Sequence, residues 1–263
     1  MSSGVDSVTP AYRFQSNGQA LAKYVQSYFS GKEVFEFWGR YFGNNGQFGT
    51  SMNNESTSPT NYIALEALWM KSAGITHIVP INAPGNTYLG TSDGYAAGQA
   101  GCDGIVKVVQ NSGGRIAIPG GNAVNVYLDV EQGQTLTLQY WNGWSSAVDG
   151  YSYNGSYPFY ACCYTEPNSQ YNTQTPCPVL CDSSANICYA LWSNSPEDPA
   201  YCTTAPPSWG PDNCACGNIF TSLWQYDEAI PTLCLAYSGF PPVDLDKSNP
   251  NSSTELNKML YLP

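Results

Sequence analysis

Val124-Asn125-Val126-Tyr127-Leu128-Asp129-Val130-Glu131 is an apolar run that ends in two acids one residue apart. A short run of this kind reads as a strand, and side chains two apart on a strand point to the same face. Asp129 and Glu131 therefore stand side by side, each raising the cost of ionising the other. Cleavage of a glycosidic bond uses such a carboxyl pair, one as proton donor and the other as base, nucleophile or charge stabiliser. The plainer alternative is an aspartate and a glutamate at a strand end that face water.

Outward from this strand, the first two thirds of the chain alternate strand and helix signals. Gly4–Val8 reads as a first strand, and Ser16-x-x-Gln19 as a capping box before a helix carrying Leu21, Tyr24, Val25 and Tyr28. Val34–Phe42 is a second strand. Ser58-Pro59 opens a helix that stops at Gly74, and Ile75–Ile81 is a third strand. A helix over about 91–113 precedes the Val124–Val130 strand, and another follows it with Leu138, Trp141, Trp144, Ser145 and Val148 inward. Beyond residue 150, strand-like runs persist at Pro158–Tyr164, Ile187–Ser193, Ile219–Tyr226 and within Leu233–Leu245, separated by Cys/Pro-rich loops. Strands alternating with helices indicate βαβ units and a parallel sheet. A count near eight in 263 residues suits one α/β domain, 1–263: a distorted (β/α)8 TIM-like barrel whose later helices are replaced by disulfide-stapled loops.

Composition narrows the function. Only 11% of residues are charged, and 9 Lys+Arg against 20 Asp+Glu give a net charge of -11, which argues against nucleic acid or an anionic membrane as a partner. Asn, Ser, Thr, Gly and Tyr take the place of charge, which suits an uncharged polar ligand such as a glycan. No apolar run approaches the ~18 residues of a membrane span. Ten cysteines, nine of them from Cys162 to Cys234, point to an oxidising compartment. Cys177-x3-Cys181 and Cys214-x-Cys216 invite a zinc reading, but the chain has a single histidine, His77, so disulfides are favoured. Sequons at Asn54, Asn154 and Asn251 fit a glycosylated, secreted protein, and a leader is expected to have been removed ahead of the first strand.

The acids fall at strand ends, where such barrels carry their chemistry. Asp6 lies in the first strand, Asp129 and Glu131 at the end of the fourth, and Asp244 with Asp246 near the end of the last. First and last strands are neighbours in a closed barrel, which puts Asp6 beside the Asp244 region and across the mouth from Asp129. Trp38, Trp192, Trp224 and Tyr226 offer flat faces for sugar rings, although packing is the commoner fate of such aromatics. Arg40, at a strand end, either pairs with an acid of the site or forms a surface ion pair. His77, inside the third strand, reads as a core histidine. With no second imidazole and no nucleophile elbow, a serine or cysteine hydrolase is disfavoured.

Four phrases in order, Gly4-Val-Asp6-Ser, Tyr127-Leu-Asp129-Val-Glu131, Leu223-Trp-Gln-Tyr226 and Val243-Asp244-Leu-Asp246, resemble those of the family 25 glycoside hydrolases, the lysozyme-type muramidases. Phe37-Trp-Gly-Arg40-Tyr41 and Ala64-Leu-Glu-Ala-Leu, with Ala73-Gly-Ile-Thr-His-Ile-Val-Pro80 beyond it, are similar to their relatives, the glycoside-hydrolase-like domains of the DUF1906 type. The resemblance covers roughly residues 4 to 249, outside the loops 165–186 and 196–217. It implies a modified (β/α)8 barrel cleaving β-1,4 bonds of peptidoglycan or a related amino-sugar polymer, without cofactor or metal. By position, Glu131 would be the general acid and Asp129 the charge stabiliser or acetamido orienter, with Asp6 and Asp244 completing an acidic floor. Arg40, Tyr41, Trp224 and Tyr226 are the expected substrate contacts. Where family 25 members place a carboxylate after the second strand, this chain has Gly-Arg40-Tyr41, and Glu36 falls earlier, which favours the DUF1906 branch. The reading is a secreted, monomeric glycosidase. Its rival is a non-catalytic carbohydrate-binding or structural protein on the same barrel.

Overall fold

The computed structural model describes residues 2–6, 21–28, 34–42, 59–83, 89–90, 94–130, 134–156, 158–167, 176–195, 207–217, 219–227, 243–252 and 254–263. Eight strands close on themselves: β1 (Ser3–Asp6), β2 (Phe35–Tyr41), β3 (His77–Asn82), β4 (Val124–Val130), β5 (Phe159–Thr165), β6 (Leu191–Asn194), β7 (Thr221–Asp227) and β8 (Asp244–Ser248). The pairing runs β2-β1-β8-β7-β6-β5-β4-β3, and a further ladder between β2 and β3 closes the ring. Helices α1 (Leu21–Tyr28), α2 (Pro59–Ser72), α3 (Gly94–Asn111) and α4 (Leu138–Asp149) fall between the first five strands. The result is a closed, mixed eight-stranded barrel.

It is mixed because β8 runs antiparallel to both β1 and β7, while the other ladders of the ring are parallel. The sequence reading expects a parallel sheet with Asp244 near the end of its strand. Asp244 instead begins β8. The reversal still brings it to the rim where the other strands end, with Asp244 opposite Asp6.

Alternation along the strands sorts side chains into two layers. Phe37, Tyr41, Val79, Ile81, Tyr127, Cys162, Trp192 and Leu223 form the inner cluster. Val5, Trp38, Ile78, Val126, Leu128 and Trp224 belong to the outer one, which includes Leu21 and Val25 of α1, Ile63 and Ala67 of α2, Ile105 of α3, and Trp141 and Trp144 of α4. The helix ends follow local chemistry. Gly74, at φ +91°, takes the left-handed turn after α2, so that the Ile75 N–H reaches the Met70 carbonyl at 3.0 Å and closes the helix. Thr137 caps α4 by accepting the Tyr140 N–H.

Helices α3 and α4 meet backbone to backbone. A Cβ on Gly98 would lie 2.7 Å from the Trp144 carbonyl oxygen, and one on Gly94 would lie 2.2 Å from that of Tyr140. This closeness lets the Trp144 indole donate to Asn82 Oδ1 at 2.8 Å, while Asn82 donates to the Phe42 carbonyl, tying α4 to the ends of β2 and β3. At the other end of the barrel β3 and β4 part, pairing only at Ile81–Tyr127 and Asn82–Leu128. Strand β9 (Leu260–Tyr261) fills that gap beside His77 and Ile78, and Met259 packs into the inner cluster from below.

Between β5 and β7 the described connections hold one short helix, α5 (Cys177–Leu180), and two disulfides, Cys177–Cys214 and Cys181–Cys216. Four cysteines are buried free thiols: Cys102, Cys162, Cys163 and Cys188. The Ser16–Gln19 capping box, Ser58, the sequon at Asn54, Cys202 and Cys234 lie outside the described residues. The bridges span 37 and 35 residues, but once one is present the other closes only a small ring. Loop-closure entropy then gives a loss of about 2 kcal/mol for either bridge alone and about 6 kcal/mol for both. Urea unfolding of the Cys181→Ser/Cys216→Ser variant, its Cys177/Cys214 counterpart and the fourfold variant is expected to show a loss greater than the sum of its parts.

Candidate active site

Three strands deliver carboxylates to one rim. Asp6 is the last residue of β1, Asp129 the last but one of β4, and Asp244 the first of β8. Asp246, two residues along β8, faces Gly4 in the β1 ladder and Gln225 in the β7 ladder. Asp6, Asp129 and Asp246 are buried, with relative exposures of 4%, 2% and 0%. Two glycines make room for them. A Cβ on Gly39 would lie 2.5 Å from the Asp6 Cβ and 2.8 Å from the Trp192 ring, and one on Gly4 would overlap the Phe37 ring.

Asp6 holds its proton well above the usual carboxylate range. Burial is the first cause, followed by the negative charges of Asp246, Asp244 and Asp129 and by a hydrogen bond to the Asp246 side chain. Asp246 Oδ1 also accepts the Trp192 indole N–H at 3.0 Å. The neutral Asp6 carboxyl therefore donates to Asp246, whose charge the indole dipole supports.

Tyr164 of β5 stands over this pair. Its hydroxyl accepts from Asn194 Nδ2 at 3.0 Å and donates to Gln225 Oε1 at 2.5 Å. Burial, then the nearby Asp6, Asp129, Tyr41 and Asp244, raise it well above the ordinary phenol range, so it remains a donor at any working pH. Trp192 meets the edges of Tyr127 and Tyr164 at 5.5 and 5.2 Å and fixes both rings. The arrangement offers a neutral carboxyl, buried carboxylates and a fixed hydroxyl at the end of an otherwise apolar barrel.

Of the residues expected from sequence, the structure brings Asp6, Asp129, Asp244 and Tyr41 together. Glu131 lies outside the described residues, two positions beyond Asp129. Arg40 does not reach the site, and it is not on the surface. It is fully buried outside the strands, with Nε 2.8 Å from Glu66 Oε1 of α2. Trp224 and Tyr226 belong to the outer cluster, because Leu223 takes the inward position on β7. The Trp224 indole donates to the Ser195 carbonyl at 2.9 Å, and Lys247 lies over the Tyr226 ring at 5.2 Å. His77 sits at the opposite end, half-buried, with Nδ1 2.8 Å from the Thr76 hydroxyl. The sequence reading assigned no role to Tyr164, Asn194 or Gln225. Trp192, weighed as a flat face for sugar or as packing, packs inside the barrel and donates its indole N–H to Asp246.

The chain matches no protein-family model and no curated protein sequence. Its structure is similar to that of an uncharacterized protein from B. stearothermophilus known from a 1.07 Å crystal structure. The TM-score is 0.61, with 15% sequence identity, over 98% of this chain and 100% of the other. The two share a fold. Nothing about activity passes with it at that identity.

A proton held more tightly in the folded state makes stability fall as pH rises from the unfolded aspartate value of about 3.9 toward the folded one. Asp6→Asn keeps a donor for Asp246 and removes this dependence. Urea midpoints between pH 4 and 8 are expected to decline less steeply in the variant than in the wild type. Some decline up to about pH 6 remains, because burial also lifts Asp149 to about 6.

Proposed function

We propose that this protein is a secreted glycoside hydrolase acting on peptidoglycan or a related amino-sugar polysaccharide. The observation that carries the reading is the convergence of Asp6, Asp129 and Asp244 on one barrel rim, where burial and mutual repulsion keep one carboxyl protonated. Glycosidic cleavage needs such a division between proton-holding and charged carboxyl groups. In this reading the barrel is a distorted (β/α)8 barrel with its last strand reversed and its later helices replaced by stapled loops. The motif resemblance to family 25 glycoside hydrolases and DUF1906-type domains supports the same assignment.

Glu131, two positions beyond Asp129 in the sequence, acts as general acid to the leaving oxygen. Asp129 supports the positive charge that develops on the sugar or orients its acetamido group. Asp6, Asp244 and Asp246 complete the acidic floor, with Asp6 holding its proton. Tyr41 and Tyr164 supply the polar contacts to substrate, in place of Arg40, Trp224 and Tyr226. Secretion is supported by the two disulfides and by the exposure of Asn154 and Asn251 in their sequons, and no described helix is long and apolar enough to cross a membrane. The protein acts as a monomer.

The outward placement of Arg40, Trp224 and Tyr226 favours a second reading, a non-catalytic carbohydrate-binding protein, because it removes three expected substrate contacts. Reducing-end release from purified peptidoglycan and chitin oligomers, between about pH 3 and 7, separates the two. The hydrolase reading expects wild-type turnover that falls by about 10²–10⁴-fold in Glu131→Gln. Tyr164→Phe is expected to lower kcat by a smaller factor with its pH profile kept. Folded wild-type protein without turnover on either substrate would overturn hydrolysis and leave binding.

A further inference from the structure

The end of the barrel away from the carboxylates has a cavity of about 470 Å³, open to solvent, at the start of β7 and just beyond the end of β8. Its volume lies within the range of small-ligand sites. Trp209, Ile219 and Phe220 supply apolar walls, and Asn213, Thr221 and Asn249 supply polar ones. Among the described residues, none that lines it carries an ionisable side chain, Cys214 being disulfide-bonded. In a chain with 20 acids and a net charge of -11, this uncharged lining suits a neutral ligand.

The walls are held in place. On either side of Ala215, Cys214 is bridged to the first residue of α5 and Cys216 to Cys181 just past its end. Trp209 stands edge-on against Trp224 at 5.9 Å. The Thr221 hydroxyl donates to Asn213 Oδ1, and Asn213 Nδ2 donates to the Pro211 carbonyl at 3.3 Å. Asn249 Nδ2 donates to the Thr221 carbonyl, and its Oδ1 accepts the Asn251 N–H, both at 2.8 Å. An asparagine amide has two N–H groups, so each of these amides keeps one that those bonds do not use. Phe220 is 42% exposed, an aromatic face left to solvent beside fixed amide donors. At the starts of the two preceding strands, Tyr160 and Tyr189 stack at 4.3 Å and are each more than a third exposed, continuing the aromatic surface on the same end.

We infer that this cavity is a non-catalytic binding site for a neutral saccharide. A sugar ring has an apolar C–H face that lies on an aromatic ring and an equatorial edge of hydroxyls that fixed amides recognise. A purely apolar ligand would strand the Asn and Thr groups, and a charged one would find no counter-charge. Thr221 and Asp227 are six residue steps apart along β7, so the site lies about 20 Å from the carboxylate rim. With the hydrolase reading it serves to hold a polysaccharide while the other end acts on it, and saccharide binding itself does not depend on that reading.

Titration of the intrinsic tryptophan fluorescence with chitohexaose, cellohexaose and a hexagalacturonate tests this, using the Glu131→Gln protein so that no turnover interferes. Binding of at least one neutral hexamer is expected, weakened at least tenfold by Phe220→Ala with unchanged thermal unfolding. Phe220→Ala in the wild-type background is expected to leave hydrolysis of short soluble oligomers unchanged and to lower that of insoluble polymer. No binding by either neutral hexamer, preference for the galacturonate, or affinity untouched by Phe220→Ala would each overturn the site. A failure of hydrolysis alone would not, because binding is read without turnover.

Discussion

Eight strands closed into a ring leave an interior just wide enough for side chains, and this barrel spends part of it on carboxyl groups. Every inward acid displaces packing atoms and loses water. Asp6 is accommodated because three independent choices fit around it. Gly39 leaves space for its Cβ, Trp192 donates to its partner Asp246, and its own charge is given up. The Tyr164–Asn194–Gln225 hydrogen bonds then cover the pair from above. Replacing Trp192, Tyr164, Asn194 or Gln225 by an apolar residue would leave a buried polar atom without its neighbour, which costs more than the bond itself is worth.

Much of the barrel could be read from sequence where period and punctuation agreed. Val124–Val130 is the observed β4, α2 begins at Pro59 and ends before Gly74, and α3 ends just before Gly113-Gly114. The direction of β8 was not legible, because an alternating pattern reads the same from either end. Nor was the outward turn of Trp224 and Tyr226. Both faces of a barrel strand are apolar here, so a spacing of two shows which residues share a face but not which face it is. Arg40 was misplaced for a related reason: its partner Glu66 comes from a helix laid over the strand, and no local pattern links them. Tyr164, Asn194 and Gln225 are single polar residues on three strands that only the register brings together.

The cysteine spacings, by contrast, carry a geometry that can be checked. Four residues along a helix make a little over one turn and rise about 6 Å. Cys177, which opens α5, and Cys181, just past its end, therefore lie on one side of that turn, and their bridges to Cys214 and Cys216 run side by side. They tie the β5–β6 connection to the β6–β7 connection on a flank where the described residues show only one short helix. Packing that helices provide around the first half of the ring is replaced there by covalent bonds and the Trp209–Trp224 contact.

The reversed β8 also has a consequence for the order in which a growing chain can fold. Strand β1 pairs with residues 244–247, and the start of β3 pairs with residues 260–261. A nascent chain that has emerged only as far as β7 can form α3 against α4 and the parallel ladders from β3 to β7, but β1 still lacks its second neighbour. Contacts of such long sequence separation form late. Both bridges of α5 join residues that emerge before β8 does, so oxidation can precede closure. The ring is then sealed as one late event, carrying Asp6 from water into the interior together with Asp246.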